Sequence, residues 1–161
     1  MTVVVSLRDV VNEMDVMSDE SHGYLNKETG ELVTITDEEI NAIENNDDWG
    51  DYPEWQQEAL VTAKKVLDSS DYLPLPSKFD IHEYAIMERF CYSVENPKLS
   101  DELSYQIRGS GAFRRFKDTI HRYGIEDEWY RFRDQAFEEI AIEWLESNGI
   151  SFSKIDKAGK D

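Results

Sequence analysis

One cysteine, four prolines and seventeen basic residues are little for a chain of 161. The lone Cys91 excludes an internal disulfide, and its setting in Arg89-Phe90-Cys91-Tyr92 predicts a buried, inert thiol rather than a nucleophile. Two of the prolines fall together in Leu73-Pro74-Leu75-Pro76-Ser77, which is expected to be a rigid extended connector, since proline lacks a donor and pushes its predecessor out of helical geometry. No apolar run approaches the roughly 20 residues of a membrane span, and Met-Thr-Val-Val-Val-Ser lacks the basic start and long apolar middle of a signal peptide. A cytoplasmic location with no membrane partner is therefore expected. With 17 basic against 35 acidic residues the net charge is −18, which repels extended nucleic acid and anionic membrane over most of the surface. Any anionic ligand must be local and small.

Several catalytic and metal patterns are missing too. A zincin needs His at i and i+4, and the residue four beyond His82 is Ile86. No EF-hand loop, Ser-His-Asp spacing or Cys-His spacing is present. His82 is expected as a cap or ion-pair member, and His121 as a solvent-facing helix residue. The acidic runs Asp37-Glu38-Glu39 and Asp47-Asp48 are expected to coat a solvated face. No catalytic residue, metal ligand or cofactor is expected, so the chain is predicted not to be an enzyme.

What remains is a foldable chain. Apolar and charged fractions of 40% and 32% are those of a soluble globular protein, and the length suits one domain, expected over residues 1–152 with a flexible tail at 153–161. The fold class expected is α+β, a mainly helical single domain with an N-terminal β-hairpin. Ser6 caps a helix to about Val16. Gly23-Tyr24-Leu25-Asn26 and Glu31-Leu32-Val33-Thr34-Ile35 form two strands about the turn Lys27-Glu28-Thr29-Gly30, with Val33 and Ile35 facing the core. Thr36 and Glu39 make a capping box for a short acidic helix. Further helices run from Pro53 to about Asp68, burying Trp55, Leu60, Ala63, Val66 and Leu67; from Asp80, burying Ile81, Met87, Cys91 and Tyr92; from Asn96-Pro97; and from about Ile125 to Ser147, burying Trp129, Phe132, Ala136, Ile140, Ala141, Trp144 and Leu145, where Asn148-Gly149 caps the end.

Between Arg108 and Arg122 the charge pattern inverts. Arg108, Arg114, Arg115, Lys117 and Arg122 stand against Asp118 alone. Gly109-Ser110-Gly111 breaks the preceding helix, and Phe113, Phe116, Ile120 and Tyr123 form the expected buried stripe of the next one, which ends at Gly124. A helix that starts after such a loop presents free backbone N–H groups and its positive dipole end, and glycines let an anion approach closely. Guanidinium groups match phosphate geometry. Trp129 on the following helix is a candidate stacking ring, and Arg133 a further donor. The competing reading pairs these arginines with the chain's surplus carboxylates.

Ile81-His82-Glu83-Tyr84, Met87-Glu88-Arg89-Phe90, Arg108-Gly109-Ser110-Gly111-Ala112-Phe113-Arg114-Arg115-Phe116-Lys117-Asp118 and Trp129-Tyr130-Arg131-Phe132-Arg133 resemble the signature of an uncharacterised bacterial protein family of the UPF series. The resemblance covers most of the chain. It implies a small bacterial or phage cytoplasmic protein and carries no activity.

The function expected from the residues is non-catalytic binding of a small phosphorylated ligand, a nucleotide or nucleotide second messenger, as in sequestration of an immune signal. Its ligand-binding residues are Arg108, Gly109, Ser110, Gly111, Arg114, Arg115, Lys117, Trp129 and Arg133. The alternative is an acidic protein-interaction module or nucleic-acid mimic, with a protein partner in place of the ligand. A third reading is a phosphotransfer or hydrolytic enzyme with His121 as general acid. Self-association is left open.

Overall fold

Ser6 ends strand β1 (Val4–Ser6) and opens helix α1 (Leu7–Val16), its Oγ accepting from the Asp9 amide at 3.2 Å. This is the expected cap, and the apolar spacing behind it buries Leu7, Val10, Val11 and Met14. The computed structural model describes residues 3–45 and 48–154, so Asp47 of the second acidic run lies outside the described residues. By internal contact the chain divides into two compact units, residues 1–80 with 140–161, and residues 81–139.

In the first unit, β2 (Ser21–Asn26) and β3 (Leu32–Thr36) form the expected antiparallel hairpin, paired from Ser21 with Thr36 to Leu25 with Leu32. Asn26 organises the turn: its Oδ1 accepts from the amides of Glu28 and Thr29, and its carbonyl accepts from Gly30, which takes φ +80. Ile35 is buried with Ala63, Val66 and Tyr72, and Val33 packs against them, so the predicted core face of β3 is the observed one. Thr36 and Glu39 complete both halves of the capping box on α2 (Asp37–Glu44). A 3-10 turn, Trp49–Asp51, precedes α3 (Glu54–Asp68), which buries Leu60, Ala63 and Val66. Trp55 and Leu67, expected on that face, are exposed; Trp55 sits in the first turn of the helix, before its first buried residue, Leu60.

The sheet is larger than the hairpin. The segment read as a connector contributes β4 (Tyr72–Pro74), giving the order β3-β2-β4. Tyr24 faces Pro74, Leu25 faces Leu73, and Asn26 faces Tyr72. The proline restriction that rules out helix favours extended geometry at Leu73, which is what a strand requires. A second correction lies at the chain's two ends. β1 pairs in parallel with β5 (Ser151–Ser153), Val5 opposite Phe152. The expected tail thus begins inside a strand at Ser153, and residues 155–161 lie outside the described residues.

The helix expected from Asp80 starts earlier and is broken. Ser77 and Asp80 cap α4 (Lys78–Ile81) reciprocally, with Ser77 N to Asp80 Oδ2 at 3.0 Å and Asp80 N to Ser77 Oγ at 3.1 Å. His82 then adopts φ 53, left-handed, and α5 (Glu83–Ser93) begins after it.

In the second unit α5 is followed by α6 (Pro97–Gln106), α7 (Ala112–Arg122) and the start of α8 (Glu126–Ser147), whose last residues belong to the first unit. Asn96 caps α6, accepting from Lys98 and Leu99, with Pro97 in the first turn. Aromatic rings fill the middle: Phe90 meets Phe116 at 5.9 Å, Trp129 at 5.4 Å and Phe132 at 5.4 Å, all edge-on. The buried stripe of α7 is Ala112, Phe116, Thr119 and Ile120. Phe113 lies at its margin and Tyr123 past the last helical residue, so both are exposed, as is Tyr92 on α5. The fold is α+β and mainly helical, with a β-hairpin near the N-terminus. Among the described residues no helix is long and apolar enough to cross a membrane.

Candidate functional site

The loop between α6 and α7 is held by its carbonyl groups, while the amides of Ile107 and Arg108 donate back to Leu103 and Tyr105. At the end of α6 the carbonyl oxygens have no helical partners. Arg115 supplies them: its Nε donates to Gln106 O at 2.8 Å, its Nη1 to Ser110 O at 2.6 Å and its Nη2 to Arg108 O. Tyr84 Oη donates to Ile107 O at 2.8 Å. The loop can take this path because Gly109 and Gly111 stand at φ +75 and +78. A Cβ on Gly111 would lie 3.0 Å from Arg115 Nη1, whereas one on Gly109 would meet nothing within 4 Å.

α7 then begins with Gly111 as N-cap and no side-chain cap. The amides of Ala112, Phe113 and Arg114 are left for solvent or a ligand, at the positive end of the helix dipole. Arg114 and Lys117 are exposed and have no acidic partner among the described residues. Arg108 is also exposed, with its guanidinium 5.8 Å from the Tyr105 ring centre. Helical side chains lean toward the N-terminus, which directs Arg114 back over the loop.

The remaining predicted residues are engaged elsewhere. Trp129 is 2% exposed, with the Phe116 ring 4.9 Å away and Phe90 on another side, so no base can stack on it. Arg133 holds Glu83 Oε1 through Nε at 2.6 Å and Nη2 at 2.5 Å, and lies 4.2 Å over the Phe137 ring. Arg122 pairs with Glu102 at 2.7 Å, and Tyr123 Oη donates to the other oxygen of the same carboxylate at 2.5 Å, a bond that raises the Tyr123 pKa. Pairing with carboxylates therefore accounts for Arg122 and Arg133 and not for Arg108, Arg114 or Lys117. Ser110 contributes its carbonyl to Arg115, with its side chain exposed.

His121 Nδ1 lies 2.9 Å from Glu126 Oε1, exposed at the far end of α7. Cys91 is buried, and burial pushes its thiol up to about 11. Among the described residues no group of His, Cys, Asp and Glu is arranged to hold a metal ion. The sequence reading missed the structural role of Arg115, although an arginine four residues beyond a glycine is spaced to reach back to the loop carbonyls.

No solved structure matches the chain. A curated relative, the UPF0158 protein PA5073 of Pseudomonas aeruginosa, is 30% identical over 66 residues, 40% of this chain and 43% of that protein, so the match spans less than half of the relative's length. The model of the uncharacterised protein family UPF0158 matches residues 2–158, and the chain belongs to that family.

Proposed function

We propose that this protein binds a small phosphorylated ligand of nucleotide type without turning it over. The observation carrying the reading is the α6–α7 junction, where uncapped amides at the start of α7 meet Arg108, Arg114 and Lys117, three cations without acidic partners among the described residues. Gathering unpaired like charges beside a positive helix end is unfavourable unless an anion offsets them. The contact set is narrower than the sequence pattern: Arg108, Gly109, Gly111, Arg114 and Lys117 face the ligand, and Arg115 shapes the loop. Tyr105 and Phe113, both exposed, take the stacking role from Trp129. His121, the candidate general acid, lies at the other end of α7 from these residues, bonded to Glu126.

Calorimetry with a panel of mono- and dinucleotides and with pyrophosphate tests it. The expected result is saturable binding that weakens about tenfold or more in Arg114→Ala plus Lys117→Ala and falls as salt rises. No binding at millimolar concentration, or binding unchanged in the double variant, rejects it. The second reading, an acidic interaction module, is favoured by Trp55 and Phe79, exposed at 70% and 91% in a chain of net charge −18. It expects the island variants to leave partner capture intact.

A further inference from the structure

We propose that a cavity in the first unit is a second, independent site, built for a small aromatic amine. The cavity has a volume of about 550 Å³, within the roughly 300–1,000 Å³ of small-molecule sites. Its walls come from β2, from the segment Pro74–Ser77 and from the last turns of α8. Met17 and Leu75 are buried in its floor, and the rings of Tyr24 and Trp144, half-buried, line its sides.

The floor is held by Gly23. Its amide lies 3.1 Å from Met17 Sδ and its carbonyl accepts from Leu75 N at 2.9 Å, and a Cβ there would come within 2.9 Å of Leu75 Cδ1. Two half-buried aromatic rings beside the buried Met17 and Leu75 favour a flat apolar ring as the occupant.

The charge of the lining selects the sign of the ligand. Asp80 and Glu143 are both exposed at the cavity, and no Lys or Arg lines it. Asp80 is occupied, its Oδ2 accepting from Ser77 N and Oγ, each at 3.0 Å. Glu143 has no partner among the described residues. The one basic-type side chain, His22, has its Nε2 2.6 Å from Asp37 Oδ1, so any charge it gains is matched by that carboxylate. An ammonium group reaching Glu143 while its ring lies against Trp144 or Tyr24 gains Coulomb attraction together with aromatic packing; a carboxylate on the same ring meets only like charge. The required chemistry is opposite in sign to that of the α6–α7 junction and uses none of its residues.

The test is a titration of the uniformly 15N-labelled full chain with tryptamine, 3-methylindole and indole-3-acetate, following amide shifts. Saturable shifts at Gly23, Tyr24 and Trp144 are expected, with tryptamine binding about tenfold more tightly than indole-3-acetate and the neutral ring between them. Glu143→Gln, at an exposed position, is expected to leave the spectrum folded and to weaken tryptamine about fivefold while shrinking its advantage over the acid. Shifts that do not saturate, equal affinities for the three rings, or an unchanged tryptamine affinity in Glu143→Gln overturn the proposal.

Discussion

The Arg115 guanidinium holds the Ser110 carbonyl oxygen at 2.6 Å through Nη1 and the carbonyls of Gln106 and Arg108 through its other two nitrogens, so one side chain closes the whole α6–α7 loop. Charge-assisted bonds of this kind contribute on the order of 2 kcal/mol when their acceptors are otherwise left unpaired. Arg115→Ala is expected to lower stability by about that amount. Arg115→Lys restores little, since a single ammonium cannot span three carbonyls. Denaturant titration measures the loss, and hydrogen exchange at Gly109 to Ala112 locates it.

Gly109 and Gly111 share a positive φ and differ in surroundings, so they separate two costs. Replacing either with alanine incurs roughly 1–2 kcal/mol for the left-handed backbone. Gly111→Ala also pushes a methyl against Arg115 Nη1, 3.0 Å away, and disturbs the clamp. Gly111→Ala is expected to be the more destabilising in thermal melts, and the double variant with Arg115→Ala to lose less than the sum of its parts.

Cys91 reports on folding through its acidity. Burial is the main cause that lifts its pKa to about 11 from 9.0, so the folded protein holds this proton more tightly than the unfolded chain. Its contribution to stability is therefore complete below about pH 9 and is lost as pH rises toward 11. At pH 8 a thiol-specific reagent is expected to react with Cys91 only at the rate of unfolding, and prompt labelling of the native protein would contradict this.

How much of this the sequence discloses depends on distance along the chain. The Ser6 cap, the Thr36–Glu39 box, the Lys27–Gly30 turn and the Asn96-Pro97 start are all settled within a few residues, and each was legible. Strands β4 and β5 are three residues each and exist because of partners far away in sequence, Tyr24 to Asn26 for one and Val4 to Ser6 for the other. In the candidate site the glycines and the cluster of cations were visible. Which cation turns inward was not, because Arg114 and Arg115 are adjacent and only the helix phase sends Arg115 to the carbonyls and leaves Arg114 in water. The burial of Trp129 followed from the apolar spacing of its helix, whereas its stacking role was a misreading: an aromatic beside basic residues looks like a platform until its neighbours Phe90 and Phe116 surround it.

The β4 ladder carries a consequence for how this molecule behaves in crowded solution. Leu75 N donates to Gly23 O and Lys27 N to Asp71 O, so alternate residues of the strand turn toward β2 and the nitrogen of Pro74 points away from it. No strand lies beyond β4 among the described residues. A foreign chain seeking to extend the sheet there finds a ring carbon where it needs a donor, which guards that margin against runaway edge-to-edge aggregation.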